Sequence, residues 1–255
     1  AHGDIFMMAG FFMVYISASM PLAVAIPVVL LMTVALGLLI ERAAYKPLRS
    51  APRMSVMISA IGVSYLLQNL ATYITGGLAR PYPEIPFLKG TFMLGALKIK
   101  VITVVTPLLT VLLVIALVLF INHTKTGMAM RAVSRDFDTA RLMGIKVNNI
   151  ISVTFIIGSF LAGVGSILYF SNYGQVSPTI GAMPGLKAFV AAVFGGIGSI
   201  PGAVLGAYII GICESLIKAN DAIAIFSNAF TFALLILVLL FKPNGMFGEK
   251  LAEKV

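Results

Sequence analysis

The sequence predicts an all-α fold, a polytopic transmembrane helical bundle that contains a discontinuous helix. Composition is the first observation that predicts it: of 255 residues, 60% are hydrophobic and 11% are charged, and the mean hydropathy is +1.04. Ordinary soluble domains hold about 25% charged residues. The chain is therefore expected to lie in a lipid bilayer.

Apolar runs of membrane length are the second observation. They lie at 5–19, 22–40, 54–75, 101–121, 151–170, 188–213 and 226–241. A helix needs about 20 apolar residues to cross a hydrocarbon core of roughly 30 Å. The strict alternation of apolar and polar residues that a membrane barrel needs is absent from these runs. Each run is therefore predicted to be helical.

The distribution of Lys and Arg is the third observation, and it predicts the orientation of the helices. Loops 41–53 and 122–150 lie two crossings apart, on the same side of the membrane, and together hold nine of these residues. The loop 76–100 between them holds four. Because cytoplasmic loops carry the excess of positive charge, we expect the first two loops to be cytoplasmic and the third to lie outside.

The run 188–213 is predicted to be discontinuous because of where it leaves the C-terminal tail. A single crossing would put the tail, from Lys242 onward, outside, with nine basic residues inside and seven outside. A run that enters the membrane and returns would make the tail cytoplasmic, with twelve inside and four outside. The second count obeys the charge rule better, so the chain is expected to turn within the membrane.

Glycine and proline at the centre of this run are predicted to form the turn. The glycines permit unusual dihedral angles, and the proline suits the first turn of a new helix that Ser199 or Ile200 would cap. Broken helices mark substrate paths in transporters, whereas glycines four apart, at 198, 202 and 206, also let helices pack closely. Both interpretations stay open for the four predicted residues, which are Gly195, Gly196, Gly198 and Pro201.

Two polar side chains lie inside the run 54–75, namely Gln68 and Asn69. They are expected either to bond across to a neighbouring helix or to line the translocation pathway. Among ionisable residues, only Glu214 is expected within an apolar run, near the end of its segment and paired with Lys218 one turn later.

Motifs for catalysis are absent from the sequence. His2 and His123 are far apart, no cysteine cluster accompanies them, and neither a phosphate-binding loop nor a nucleophile motif occurs. We therefore expect no catalytic residue and no metal site on this chain.

The loop 122–150 contains a predicted amphipathic helix, Met128 to Met143, which is expected to end at Gly144. Apolar residues recur along it at spacings of three and four, at positions 130, 133, 137 and 140. Two aspartates, at 136 and 138, interrupt the basic charge that a helix lying on a lipid surface would carry. The helix is therefore predicted to dock onto a cytoplasmic protein.

Together these features are typical of the membrane half of a pump whose motor is another polypeptide. Nucleic-acid binding is excluded, because the basic residues lie in short loops between apolar runs, where membrane topology explains them. A secondary carrier or channel that works without an ATPase is the alternative from another class.

Six stretches of the sequence resemble one family over essentially the whole chain. They are AHGD, IERAAYKPLR, ISAIGVSYLLQN, GMAMRAVSRDFDTARLMGIKV, GLKAFVAAVFGGIGSIPGAVLGAYIIGICE and FALLILVLLFKPNGMFG. With these motifs the chain resembles the permease subunits of branched-chain amino-acid ABC importers, of the LivH type. The resemblance implies a non-enzymatic transport subunit in the bacterial inner membrane that carries branched-chain amino acids.

The resemblance also implies partners and a coupling site. The expected partners are a second permease, a periplasmic solute-binding protein and two cytoplasmic ATPase subunits, which would hold the ATP and magnesium. The coupling loop 122–150 would fit a groove on an ATPase, and the residues expected to couple the two proteins are Arg131, Arg135, Phe137, Asp138 and Arg141.

Two points stay open within the family. The chain is expected to form a single permease domain, 1–255, that lacks an N-terminal hydrophobic segment, because AHGD follows such a segment in family members. Relatives also carry urea, short amides or other amino acids, and nothing in the sequence discriminates between these substrates.

Overall fold

The computed structural model describes residues 1–49, 51–94, 97–196, 198–221, 223–242 and 245–246. Across these residues the chain forms eleven α-helices: α1 (His2–Ser17), α2 (Leu22–Ile40), α3 (Arg53–Thr75), α4 (Pro86–Lys89), α5 (Val101–His123), α6 (Lys125–Arg135), α7 (Phe137–Leu142), α8 (Val147–Tyr173), α9 (Ala182–Gly195), α10 (Ile200–Lys218) and α11 (Ser227–Phe241). Four short strands lie in the connections: β1 (Arg80–Pro81), β2 (Thr91–Leu94), β3 (Leu97–Lys100) and β4 (Gln175–Val176). The all-α prediction is confirmed.

Six helices in the described part of the chain are long and apolar enough to cross a membrane. They are α2, which a π-helical turn (Glu41–Tyr45) and a 3-10 turn (Lys46–Leu48) extend, and α3, α5, α8, α10 and α11, the last preceded by a 3-10 turn (Ala224–Phe226). Helices α1 and α9 are apolar but shorter, at 16 and 14 residues. The bundle is therefore polytopic, as the apolar runs predict.

The chain divides into two compact units, residues 1–182 and 183–255. Helix α1 lies at the centre of the first unit, packed against α2 and α8. The side chains of Ile5, Met7, Ala9 and Met13 on α1 are fully buried. Because α1 is apolar on every side, all of its faces can pack against protein.

Small residues bring α1 and α2 close to α8. A Cβ atom added at Gly10 would lie 2.5 Å from the Phe170 ring, and one added at Gly37 would lie 1.8 Å from the Ser159 hydroxyl. In lipid, helices gain no hydrophobic energy by associating, so close van der Waals packing of this kind holds them together.

A two-residue ladder joins the ends of α3 and α8. Strand β1 pairs antiparallel with β4, with Arg80 opposite Val176 and Pro81 opposite Gln175. Both helices end at a glycine with a left-handed backbone, Gly76 at φ 67° and Gly174 at φ 73°, which satisfies carbonyls at the helix terminus. The loop 76–100 and the segment after α8 therefore lie at one end of this unit.

The second unit consists of α9, α10 and α11. Its core contains Val190, Ala191 and Phe194 of α9 with Ile210 of α10, and residues of α11 such as Phe232 and Val238 pack against them. The unit therefore contains the whole region in which the sequence predicts a discontinuous helix.

Candidate functional site

The chain breaks between α9 and α10, within the predicted run 188–213. Helix α9 ends at Gly195, after which Gly196 and Gly198 adopt φ angles of 108° and 100°, a conformation that L side chains rarely adopt. The Ser199 hydroxyl then caps α10 by accepting a hydrogen bond from the Gly202 amide at 3.2 Å, and proline stands in the first turn of the new helix. The predicted discontinuity and its serine cap are confirmed.

Helices α9 and α10 pack backbone against backbone beside the break. A Cβ atom at Gly195 would lie 2.1 Å from the Gly202 carbonyl oxygen, and one at Gly206 would lie 2.6 Å from the Ala191 carbonyl oxygen. Gly198 is exposed and precedes α10. The prediction that Gly198, Gly202 and Gly206 share one helix face is therefore wrong for Gly198, because that glycine belongs to the turn before α10.

The end of the described chain also packs on the break. The Met246 amide donates a hydrogen bond to the Phe194 carbonyl at 2.9 Å. A Cβ atom at Gly245 would lie 2.5 Å from the Cα atom of Gly196. Gly196 is thus buried by backbone packing as well as placed in a turn, and side chains at either position would separate the two segments.

Glu214 lies between two lysines in this unit. Lys218 donates to its carboxylate at 2.6 Å, which confirms the predicted pair, and Lys187 of α9 donates to the same oxygen at 2.6 Å. The Glu214 side chain is 14% exposed. Lys187 was not foreseen, because 27 residues separate it from Glu214 and only the folding of α9 onto α10 brings them together.

Two further carboxylates are buried in the first unit, although neither lies within one of the predicted apolar runs. Asp4 is 4% exposed and Glu41 is 0% exposed. Both stand at the edge of an apolar run, where the sequence pattern reads as a loop. In the structure Asp4 belongs to α1 and Glu41 directly follows α2.

Gln68 joins α3 to α1. Its amide nitrogen donates a hydrogen bond to the Asp4 carboxylate at 2.9 Å, which provides the buried charge with a donor, as a buried carboxylate requires. Asn69, the next residue, is exposed and donates to the Tyr65 carbonyl of its own helix at 2.8 Å. Of the two predicted pathway residues, the first therefore bonds across to a neighbouring helix and the second does not.

Glu41 holds together the loops at the other end of the first unit. It forms an ion pair with Arg49, and the Ser152 hydroxyl of α8 donates to its carboxylate at 3.0 Å. Arg49 in turn donates to the Asn148 side chain. These contacts confirm that loops 41–53 and 122–150 lie at the same end of the bundle.

The predicted coupling helix consists of two helices, α6 and α7, instead of one helix over Met128–Met143. The Asp136 carboxylate accepts hydrogen bonds from the Asp138 amide at 2.9 Å and the Thr139 amide at 3.2 Å. This N-cap starts a new helix and ends the old one at Arg135. Gly144, at φ 79°, follows the second helix, as expected.

The break turns the apolar residues of the two helices to different sides. Val133 and Ala140 pack with Val147 of α8 in a small core, whereas Phe137 is 53% exposed. Phe137 was expected on the same face as the first two, and the cap at Asp136 is the reason that it is not. The exposed apolar side chains of this segment are Met128, Phe137, Leu142 and Met143.

The five residues predicted for coupling are all exposed. Arg131 lies on α6 and donates to the Asn122 side chain at 3.3 Å, and the others lie at the end of α6 and along α7, namely Arg135, Phe137, Asp138 and Arg141. Charged and apolar groups thus alternate on one outward-facing segment. Such a surface suits a protein partner better than a uniformly basic lipid-binding face.

The described residues hold no group of three or more His, Cys, Asp and Glu that could bind a metal ion. At the start of α6, Thr124 is the N-cap, because its hydroxyl accepts a hydrogen bond from the Gly127 amide at 3.0 Å. A Cβ atom at Gly127 would lie 2.4 Å from the Ile121 carbonyl. This contact sets α6 tightly against the end of α5.

Comparison with known proteins finds relatives along the whole chain. The family described as the permease component of the branched-chain amino acid transport system matches residues 1–239. The high-affinity branched-chain amino acid transport system permease protein BraD of Pseudomonas aeruginosa is 38% identical, over 100% of this chain and 87% of that protein. The permease protein LivH of the corresponding system is 37% identical in Escherichia coli K12 and 36% in Salmonella typhimurium, with the same coverage. No solved structure matches the chain significantly.

Proposed function

The chain belongs to the family of branched-chain amino acid transport permease components, and we propose that it is the membrane-spanning subunit of an ATP-driven importer for leucine, isoleucine and valine. The observation that supports this substrate assignment is the identity of 36–38% over the full chain with permeases of high-affinity branched-chain amino acid systems. With six helices able to span a bilayer in the part of the chain that the structure describes, it is a multi-pass membrane protein. We place it in the bacterial inner membrane.

The proposed importer contains several other chains. A second permease would complete the route for the amino acid, and a periplasmic solute-binding protein would deliver it. Two cytoplasmic ATPase subunits would bind and hydrolyse ATP with magnesium, so this chain itself would perform no catalysis. The sequence supports this division, because it contains no phosphate-binding loop of the P-loop type.

The segment α6–α7 is proposed to transmit motion from an ATPase. Its exposed apolar side chains would enter a groove on that partner, and its charged residues would surround them, which is the usual arrangement of an interface core and rim. The buried side of the segment packs on Val147, the first residue of α8. A displacement of the segment would therefore act directly on a helix that crosses the bundle.

The break between α9 and α10 is proposed to shape the translocation route. Irregular backbone at membrane depth is tolerated where it is buried in protein or lines a cavity. The contacts of Gly195 and Gly196 support the first condition, whereas the exposed Gly198 leaves room for the second. Pro201 sets the start of α10 and thereby the position of the turn.

The proposal is tested by measuring uptake with the complete transporter in membrane vesicles. Labelled leucine should accumulate only when the ATPase subunits, ATP and the loaded binding protein are all present, and isoleucine and valine should compete. Competition by urea or acetamide with no effect of the three amino acids would assign another substrate. Uptake by this chain alone in ion-loaded vesicles would support a secondary carrier or channel.

Phe137→Glu tests the coupling segment. A charge in a buried interface centre leaves an unpaired ion, which costs at least about 2 kcal/mol, or roughly thirtyfold in affinity. Phe87→Glu is the matched control, because Phe87 is an exposed phenylalanine, 77% accessible, in the loop 76–100. We expect the first variant to lose the ATPase subunits on purification and the second to retain them; equal retention would contradict docking at α6–α7.

A further inference from the structure

Helix α3 carries a polar face that the packing of the first unit leaves uncovered. Its packed side consists of Leu67, Ala71 and Thr75, each no more than 3% exposed. The opposite side presents, at helical spacing, Ile58, Gly62, Tyr65, Asn69 and Thr72, and all five are exposed. Tyr65 is 62% exposed although it lies near the middle of the helix.

Lipid is a poor environment for this face. A tyrosine near either end of a membrane helix belongs to the interfacial belt, which accounts for Tyr73 at 87% exposure. The belt does not account for Tyr65, because it lies roughly 15 Å of helix from the end at Thr75. Polar side chains at such depth normally face protein or a water-filled cavity.

Close packing against another helix also fits this face poorly. Tight helix pairs in membranes use small residues that let the backbones approach. Here Gly62 and Thr72 are the small members of the face, and no described atom lies within 4 Å of a Cβ placed on Gly62. Tyr65 lies between them along the helix and is 62% exposed, so its side chain keeps another backbone away. A glycine next to a projecting aromatic ring forms a recess in place of a flat surface.

We propose that the face of Ile58, Gly62, Tyr65, Asn69 and Thr72 lines the water-filled route of the amino acid. The inference rests on the proposed importer function and names the surface that would meet its substrate. Asn69 uses its amide nitrogen in the hydrogen bond to the Tyr65 carbonyl. Among the described residues, no hydrogen bond uses its side-chain oxygen as the acceptor. That oxygen and the Tyr65 hydroxyl can hydrogen-bond the ammonium and carboxylate groups of a zwitterion, and Ile58 can contact its aliphatic side chain.

The test is the reactivity of single cysteines with a charged, membrane-impermeant methanethiosulfonate reagent. The chain has one cysteine, Cys213, so Cys213→Ala provides the background. Asn69→Cys is compared with Leu108→Cys on α5, a 70% exposed apolar position. Both lie roughly 10 Å of helix from the ends that the loop 76–100 joins. The complete transporter in membrane vesicles is used throughout.

We expect Asn69→Cys to react at least about tenfold faster than Leu108→Cys, because a thiol in water ionises and one in lipid does not. Leucine added with ATP and the loaded binding protein should slow the reaction of Asn69→Cys. Tyr65→Cys repeats the measurement in case Asn69→Cys fails to assemble. Equal, slow reaction at all three positions would overturn the proposal in favour of lipid contact.

Two further results separate the other possibilities. Disulfide cross-linking of Asn69→Cys to a second permease, without reaction with the aqueous reagent, would overturn the route and assign the face to a helix interface. ATP-dependent leucine uptake is measured in parallel on the Cys213→Ala parent. Fast reaction without leucine uptake or leucine protection would support the route and contradict the proposed substrate, so the two failures are distinguishable.

Discussion

Helices α3 and α5 are equally long, at 23 residues each, and both pack little against the rest of the first unit. The exposed stripe of α5 contains Val104, Leu108, Val111, Ile115 and Leu119, which are all apolar. The corresponding stripe of α3 contains tyrosine, asparagine and threonine. The two exposed stripes therefore suit different surroundings. The apolar stripe of α5 suits contact with lipid, and the stripe of α3 suits contact with a polar environment.

The difference teaches that hydropathy alone does not describe the surroundings of a membrane helix. Both helices pass as membrane spans by length and composition. What separates them is the position of a few polar side chains relative to the packed side. The side chains of Thr106 and Thr110 on α5 and of Asn69 and Thr72 on α3 all donate to carbonyls one turn earlier. The two threonines of α5 are half-buried and lie off its exposed stripe, whereas Asn69 and Thr72 are exposed.

A lysine at the centre of each stripe should give the largest difference. Val111→Lys puts a charge into lipid, which costs about 2.5–3.5 kcal/mol, or roughly a hundredfold, in membrane integration. Tyr65→Lys should lose much less, because its charge would reach water. The amount of assembled transporter extracted from membranes measures both effects. Equal losses of assembled transporter for Val111→Lys and Tyr65→Lys would show that the two stripes have the same surroundings.

The two sides of α3 should differ in their effect on stability. Gln68→Leu removes the donor to the buried Asp4 carboxylate, a charge-assisted bond whose loss should lower the free energy of unfolding by about 2 kcal/mol. Asn69→Leu, one residue along on the exposed face, should change it by less than about 0.5 kcal/mol. Thermal unfolding of the purified chain in detergent distinguishes them. A larger loss for Asn69→Leu would show that this face is packed.

The smallest expected effect comes from a matched pair of threonines. Thr72 on α3 donates to the Gln68 carbonyl at 2.7 Å, and Thr106 on α5 donates to the Ile102 carbonyl at 2.8 Å. Valine at either position should leave stability nearly unchanged, since each carbonyl is within a helix. Leucine uptake should fall about two- to threefold for Thr72→Val, the equivalent of about 0.5 kcal/mol, and should not change for Thr106→Val. A fall in both would point to a general effect on the bundle.

Much of the fold could be predicted from the pattern of apolar and charged residues. The runs 22–40, 54–75 and 101–121 match α2, α3 and α5 to within two residues at each end. The break near Gly196 followed from counting charges in the loops, because a membrane imposes a rule on Lys and Arg that soluble proteins lack. The division of the coupling segment was missed although Asp136 carries a signal, since aspartate is a preferred N-cap.

The site residues were less predictable, because their partners are distant in sequence. Gln68 was correctly selected as a polar residue in an apolar run, but its partner Asp4 lies 64 residues away. Glu41 and Ser152 are 111 residues apart. Periodicity describes one element at a time, so it cannot predict which carboxylate a neighbouring helix will cover.

The sequence by itself determined which segments are apolar enough to cross a membrane and where one of them is interrupted, because the cost of moving charged and polar groups into lipid depends on local composition. Only the tertiary structure decided which of those segments are buried in protein. Two helices of equal length became different surfaces, one apolar and one polar, because packing covered Leu67, Ala71 and Thr75 and left Tyr65 and Asn69 uncovered. That choice depends on contacts between distant helices, which no single stretch of the chain encodes.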